Sequence, residues 1–197
     1  MKVYDISQEV LSCAVYPGDP APRRKSLQSM DDGALYNLSS FQMCAHNGTH
    51  IDAPAHFIRD GKTIDAIAIA AFVGTAYVAE HRGSVSARDA AQIIENARSA
   101  DSEACKRILI KGDAEVSPEA AEGFANAGLL LLGNESQSVG PVDAPMTVHK
   151  ILLSRDIVLL EGIRLSEVPE GIYLLNAAPL NIMGAEGAPC RAVLIEN

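Results

Sequence analysis

Residues 46–57 read His46-Asn47-Gly48-Thr49-His50-Ile51-Asp52-Ala53-Pro54-Ala55-His56-Phe57, a stretch holding three of the five histidines of this 197-residue chain. Any one of these histidines reads as an ordinary polar loop residue. Three imidazoles and a carboxylate packed this closely, separated by small or turn-forming residues, read as a metal site. Nitrogen and hard oxygen donors together suit Zn²⁺ or Mn²⁺, and three protein ligands leave positions open for water and substrate. β-Branched Thr49 and Ile51, and the missing amide hydrogen of Pro54, disfavour a continuous helix. The segment is therefore expected to be a strand end running into a loop. In extended chain His50 and Asp52 share a face, and Gly48 permits the turn that brings His46 to the same point. His56, just beyond the Pro54 bend, is the candidate base. In His-Glu-x-x-His, by contrast, a helix presents both imidazoles and the Glu is the base.

Around this cluster the chain has the length of one domain with a full core, and no linker-like tract divides residues 1–197. Its 48% apolar and 21% charged residues are ordinary for a globular protein. A net charge of −9 argues against a nucleic-acid footprint, and the run Arg23-Arg24-Lys25 is expected to be a solvated turn. Neither a signal peptide nor a membrane span is visible, so a cytoplasmic protein is expected. Cys13, Cys44, Cys105 and Cys190 are widely spaced and are expected as reduced thiols.

Lys2–Ser7 alternates as a strand, Val15–Pro20 is a turn-rich loop, and Tyr36–Ala45 is an alternating strand leading into the cluster. Ser86, with Asp89 three residues on, caps a helix whose apolar stripe is Ala90, Ile93, Ile94 and Ala97 and which ends near Asp101. Arg107–Lys111 is a short buried strand, Ser117-Pro118 opens a second helix, and Leu129–Leu132 is an apolar strand. Pro145–Leu153 predicts a third helix containing His149, and Ile157–Leu160 a buried strand delivering Glu161 at its end. His149 and Glu161 are further potential ligands, although alone each reads as an ordinary polar residue. Strands at Leu174-Leu175 and Arg191–Ile195 complete an α/β protein with mixed pairing. No Gly-x-Ser-x-Gly elbow, dinucleotide fingerprint or phosphate loop occurs, and Gly83-Ser84 and Gly112-Asp113 are expected as isolated turns.

The motif His46-x-Gly48-Thr49-His50-x-Asp52-Ala53-Pro54-x-His56-Phe57 resembles the signature of the cyclase family, which includes bacterial kynurenine formamidases and isatin hydrolases. Asp5-Ile6-Ser7, Tyr16-Pro17-Gly18-Asp19-Pro20, Leu131-Leu132-Gly133, His149, Leu160-Glu161-Gly162, Pro179-Leu180 and Gly184–Arg191 extend the resemblance along nearly the whole chain. It implies a swivelling β/β/α domain, a mixed sheet with flanking helices, assembled as a homodimer or higher oligomer. It also implies that His46, His50 and Asp52 hold one metal, that Asp52 bridges to a second held by His149 and Glu161, and that His56 is the acid/base. The ions would be one or two Zn²⁺, with Mn²⁺ as the alternative. Tyr16 stands where the family often has a substrate-contacting Trp. Glu135 and Gly140 depart from positions where its formamidases tend to carry Asp.

The activity so implied is metal-dependent hydrolysis of a small amide, with N-formylkynurenine, an intermediate of tryptophan catabolism, as the leading substrate. Isatin or another cyclic amide or lactone is the alternative within the class. A metal-dependent binding protein that turns nothing over is the alternative outside it.

Overall fold

The computed structural model describes residues 1–141 and 145–196. In chain order its strands and helices are β1 (Lys2–Asp5), β2 (Arg23–Gln28), β3 (Leu38–Gln42), β4 (His50–Asp52), β5 (Val73–Glu80), β6 (Gly83–Val85), α1 (Ala87–Ala100), β7 (Arg107–Lys111), β8 (Ala114–Val116), α2 (Pro118–Ala127), β9 (Leu131–Asn134), α3 (Pro145–Leu153), β10 (Val158–Glu161), β11 (Gly171–Asn176), β12 (Gly187–Pro189) and β13 (Val193–Glu196). One nine-stranded sheet runs in the order β1-β13-β11-β5-β7-β9-β10-β4-β12. Its central strands β5, β7, β9 and β10 are parallel, and antiparallel strands flank them on both sides.

Parallel strands covered on both faces should be continuously apolar, and Ile108-Leu109-Ile110 of β7 is so. Ile108 and Ile110 face the core beneath the helices, with Ile93 and Ile94 of α1, Phe124 of α2 and Leu152 of α3. Leu109 faces the opposite core, with Ile51, Phe72, Tyr173 and Leu194. The capping signals are fulfilled. Ser86 and Asp89 form a reciprocal capping box on α1, and Ser117 caps α2 with Pro118 in its first turn.

Three expectations and one omission need correction. Arg23-Arg24-Lys25 is not a turn but the start of β2, paired antiparallel with β3 across a register shift between Ser26 and Gln28. Every residue of β2 and β3 is exposed, so neither strand has the half-buried alternation that marks a strand in sequence. β3 ends at Gln42 rather than running into the histidines, and a turn through His46 intervenes. Gly83-Ser84 is not an isolated turn but opens β6, which pairs in parallel with β8.

The omission is β5, central to the sheet and absent from the sequence reading. Its Gly74 and its alanines dilute the β-branched signal. Gly74 has φ +150°, and a Cβ there would lie 2.7 Å from the Arg107 guanidinium. That guanidinium is buried and donates to the carbonyls of Ala70, Ala71 and Thr75, tying the turn before β5 to the sheet.

Candidate metal centre

The short strand β4 lies between β10 and β12. Antiparallel pairing sets His50 directly opposite Glu161 of β10, and the pleat puts His50 and Asp52 on one face with Ile51 in the core on the other. Glu161 is 2% exposed, so it is not the ordinary polar residue that it reads as alone. One of its oxygens accepts the Val139 amide at 2.8 Å and lies 3.1 Å from His149 Nε2 on α3.

His46 reaches the same point from the turn before β4. Gly48 sits at φ +64°, where glycine is favoured, and a Cβ on it would come within 2.8 Å of Cys13 Cβ. Thr49 holds the turn by donating to the Gly162 carbonyl at 2.8 Å and accepting the Gln8 amide at 2.9 Å. His46 Nδ1 is 2.7 Å from Asp52 Oδ1. His50 Nδ1 donates to the Gly48 carbonyl at 3.0 Å, which fixes the tautomer and leaves Nε2 facing Asp52 and Glu161 at 3.4 and 3.5 Å.

Two triads result, His46-His50-Asp52 and Asp52-His149-Glu161, and within each the donor atoms lie within 4.8 Å of one another. Asp52 belongs to both. Its Oδ2 is buried without a hydrogen-bond partner, although His149 Nε2 stands 3.5 Å away. A buried carboxylate oxygen left unsatisfied is costly, and a divalent cation shared by these donors removes that cost. The donor set and this orphaned oxygen both fit a metal.

The electrostatics agree. Burial opposes ionisation of Asp52, but the neighbouring imidazoles of His149, His46 and His50 hold its pKa well below the usual carboxylate range. Burial likewise opposes charging of His50 and His149, yet Asp52 and Glu161 overcome it and raise both to about 10. The carboxylates thus demand positive charge at the point where the donors converge.

His56 differs from the other histidines. It belongs to neither triad, its Nε2 stands 3.9 Å from Asp52 Oδ2, and its ring stacks on His46 with centroids 4.1 Å apart. Burial pushes its pKa down; Asp52 pulls the other way, while His46 and His149 add to the depression. A half-buried, neutral imidazole at the rim of the donor cluster is poised to take up and release a proton.

The donors open into a cavity of about 370 Å³ whose walls include Tyr16, Asp19, Cys44, Phe57, Gln137 and Met146. Tyr16, the position that the resemblance associates with substrate contact, lines this cavity. A more open depression of about 950 Å³ between Glu80, Lys111 and Arg164 contains none of the donors. Glu135 faces that depression rather than the donor cavity, and its carboxylate accepts the amides of Gly112 and Leu165 at 2.7 and 2.8 Å. Glu135 thus braces two backbone segments.

Sequence reasoning missed Glu186 and Gly187. Glu186 Oε1 lies 3.3 Å from His46 Nε2, and a Cβ on Gly187 would come within 2.8 Å of the His46 ring. Gly187 lies within a stretch that carried the resemblance, but nothing local tied it to His46. Asp19, Cys44, Phe57 and Met146 were also not singled out as cavity residues, because only the fold brings them together.

A family model described as "Putative cyclase" matches residues 4–141. The chain is 35% identical to a kynurenine formamidase of Salinibacter ruber, the alignment covering 98% of this chain and 97% of that one. It is 32% identical to a kynurenine formamidase of Erythrobacter litoralis, with 99% and 94% covered. A solved structure described as a "Potential Metal-Dependent Hydrolase With Cyclase Activity" superposes with a TM-score of 0.82 at 27% identity, covering 98% of this chain and 96% of that one. Isatin hydrolase A from Labrenzia aggregata shares the fold, with a TM-score of 0.78 at 21% identity over 100% and 94% of the two chains.

Proposed function

Because the chain belongs to the cyclase family, we propose that it is a metal-dependent hydrolase of carbon–nitrogen bonds other than peptide bonds, an arylformamidase converting N-formylkynurenine to kynurenine and formate. The observation that carries this reading is the pair of buried triads sharing Asp52, set beside a neutral His56 in a cavity of small-molecule size. Full-length relatives named kynurenine formamidase supply the substrate.

In this reading His46, His50 and Asp52 hold one ion, and Asp52, His149 and Glu161 a second, zinc foremost with manganese as the alternative. A divalent ion so held supplies Lewis acidity and, for zinc, lowers the pKa of water from about 15.7 to about 7. His50 is locked by its Gly48 hydrogen bond and Glu161 by the Val139 amide, so both present their donors without reorganisation. Phe57 and Met146 line the cavity with apolar surface and suit an aryl ring. Water adds to the formyl carbon, the carbon–nitrogen bond breaks, and His56 relays the proton to the departing nitrogen. Amines leave poorly unprotonated, and such a relay contributes about 10² to 10⁴ in rate.

The chain reads as one domain, since strands from both ends pair within the one sheet. The four unpaired thiols support a cytoplasmic location, and no helix among the described residues is long and apolar enough to cross a membrane. A homodimer is supported by the exposed β2–β3 hairpin. The decisive experiment is hydrolysis of N-formylkynurenine by protein loaded with Zn²⁺ or Mn²⁺, beside a chelator-treated control. Chelator-sensitive release of kynurenine is expected; metal demonstrably bound with no turnover of this compound sinks the arylformamidase reading.

A further inference from the structure

We propose that Asp19 is the residue that selects the substrate's side chain, by accepting an ammonium group, so that the cavity is built for aryl formamides carrying a primary ammonium. This rests on the hydrolase reading above and adds to it the residue that recognises the substrate's ammonium group. Tyr16-Pro17-Gly18-Asp19 forms a tight turn closed by the Asp19 amide donating to the Tyr16 carbonyl at 3.0 Å, with Gly18 at φ +100°. Proline and glycine occupy the two central positions that a type II turn favours. The turn therefore sets the Asp19 carboxylate and the Tyr16 ring side by side on one wall of the donor cavity.

Asp19 belongs to neither metal triad. Across the turn, Cys44 donates its thiol to Asp19 Oδ2 at 3.6 Å, which orients the carboxylate. Among the described residues Asp19 has no ion pair, and no lysine or arginine lines the cavity. A half-buried carboxylate at the wall of a substrate cavity, oriented by a neighbour but with no ion-pair partner among the described residues, is completed by a cation the ligand brings. Kynurenine and its formyl derivative carry an α-ammonium on a chain extending from the aryl ring. With the formamide at the donors and the ring against Phe57 and Met146, Asp19 is the anionic group available to that ammonium. A bare anilide leaves Asp19 unused, and a ring substituted only with a carboxylate is repelled by it.

The test compares kcat/KM of the metal-loaded protein for N-formylkynurenine and for formanilide, which has the same scissile bond and no ammonium. In Asp19→Asn the ratio of the two values is expected to fall about ten- to a hundredfold, the worth of one charge-assisted hydrogen bond, with the change in KM for N-formylkynurenine. Asp19→Glu, which keeps the charge, is expected to retain most of the ratio. An unchanged ratio in Asp19→Asn overturns the assignment and leaves the formamidase reading intact. Equal loss in both variants marks damage to the turn and also overturns it. Wild-type protein that cleaves neither compound overturns the formamidase reading, and the assignment with it.

Discussion

His56 and Asp52 are four positions apart and take opposite parts in the proposed reaction. Asp52 is fully enclosed, shared by both triads, and retains an oxygen with no hydrogen bond, so its value lies in charge held still. His56 stands outside the donor set with a depressed pKa, so its value lies in a proton that moves. Replacing His56 with Ala is therefore expected to lower kcat about 10² to 10⁴-fold while metal content, read by plasma emission, stays at the wild-type level. Loss of metal in that variant would make His56 a ligand instead. At this scale the sequence was unusually open. Residue type and spacing named His46, His50, Asp52 and His56, which are local in the chain, whereas His149 and Glu161 read alone as ordinary polar residues and entered the proposed ligand set only through the resemblance. Glu186 and Gly187 could not be tied to the site, since a hydrogen bond to His46 and the room its ring needs are properties of a sheet register formed 140 residues later.

Elements were legible where their stabilisation is local. Cap residues and a helical stripe define α1, and a short apolar run defines β7, because the information sits within each segment. β5 was hidden because what holds it is remote: Arg107 on β7 reaches over Gly74 and donates to three carbonyls of the segment 70–75. Without that guanidinium those carbonyls lose their donor inside the protein. Arg107→Met is accordingly expected to destabilise the fold by about 2–4 kcal/mol, the range for stranding buried polar groups, as measured by urea denaturation. A loss under about 0.5 kcal/mol would mean that water replaces the guanidinium. The proposed metal donors come from the turn at His46, β4, β10 and α3 and not from this segment, so the surviving folded fraction should keep its metal.

The whole molecule leaves one element without support of its own. The β2–β3 hairpin is exposed along its full length, with Phe41 at 63% and Leu27, Leu38 and the connecting Met30, Leu35 and Tyr36 all open. A two-stranded hairpin in water is marginal unless a third surface packs on it, and in the proposed homodimer its exposed apolar side chains are what a second copy would cover. Charge also bears on the choice of partner: Arg23, Arg24 and Lys25 sit on this hairpin in a chain of net charge −9, so a second copy offers the opposite charge to a basic arm. Light scattering at micromolar concentration is therefore expected to give twice the chain mass or a higher multiple. Phe41→Glu, which puts a charge into that surface without touching either triad, should shift the protein toward monomer. A wild-type monomer would remove the dimer, and an unshifted dimer in Phe41→Glu would move the interface off the hairpin. The segment 43–45 joins β3 to His46, and Cys44 lies on the cavity wall beside Asp19. Docking of the hairpin on a second copy would thus also steady that wall, and the monomerised variant is expected to show a raised KM with its metal content unchanged.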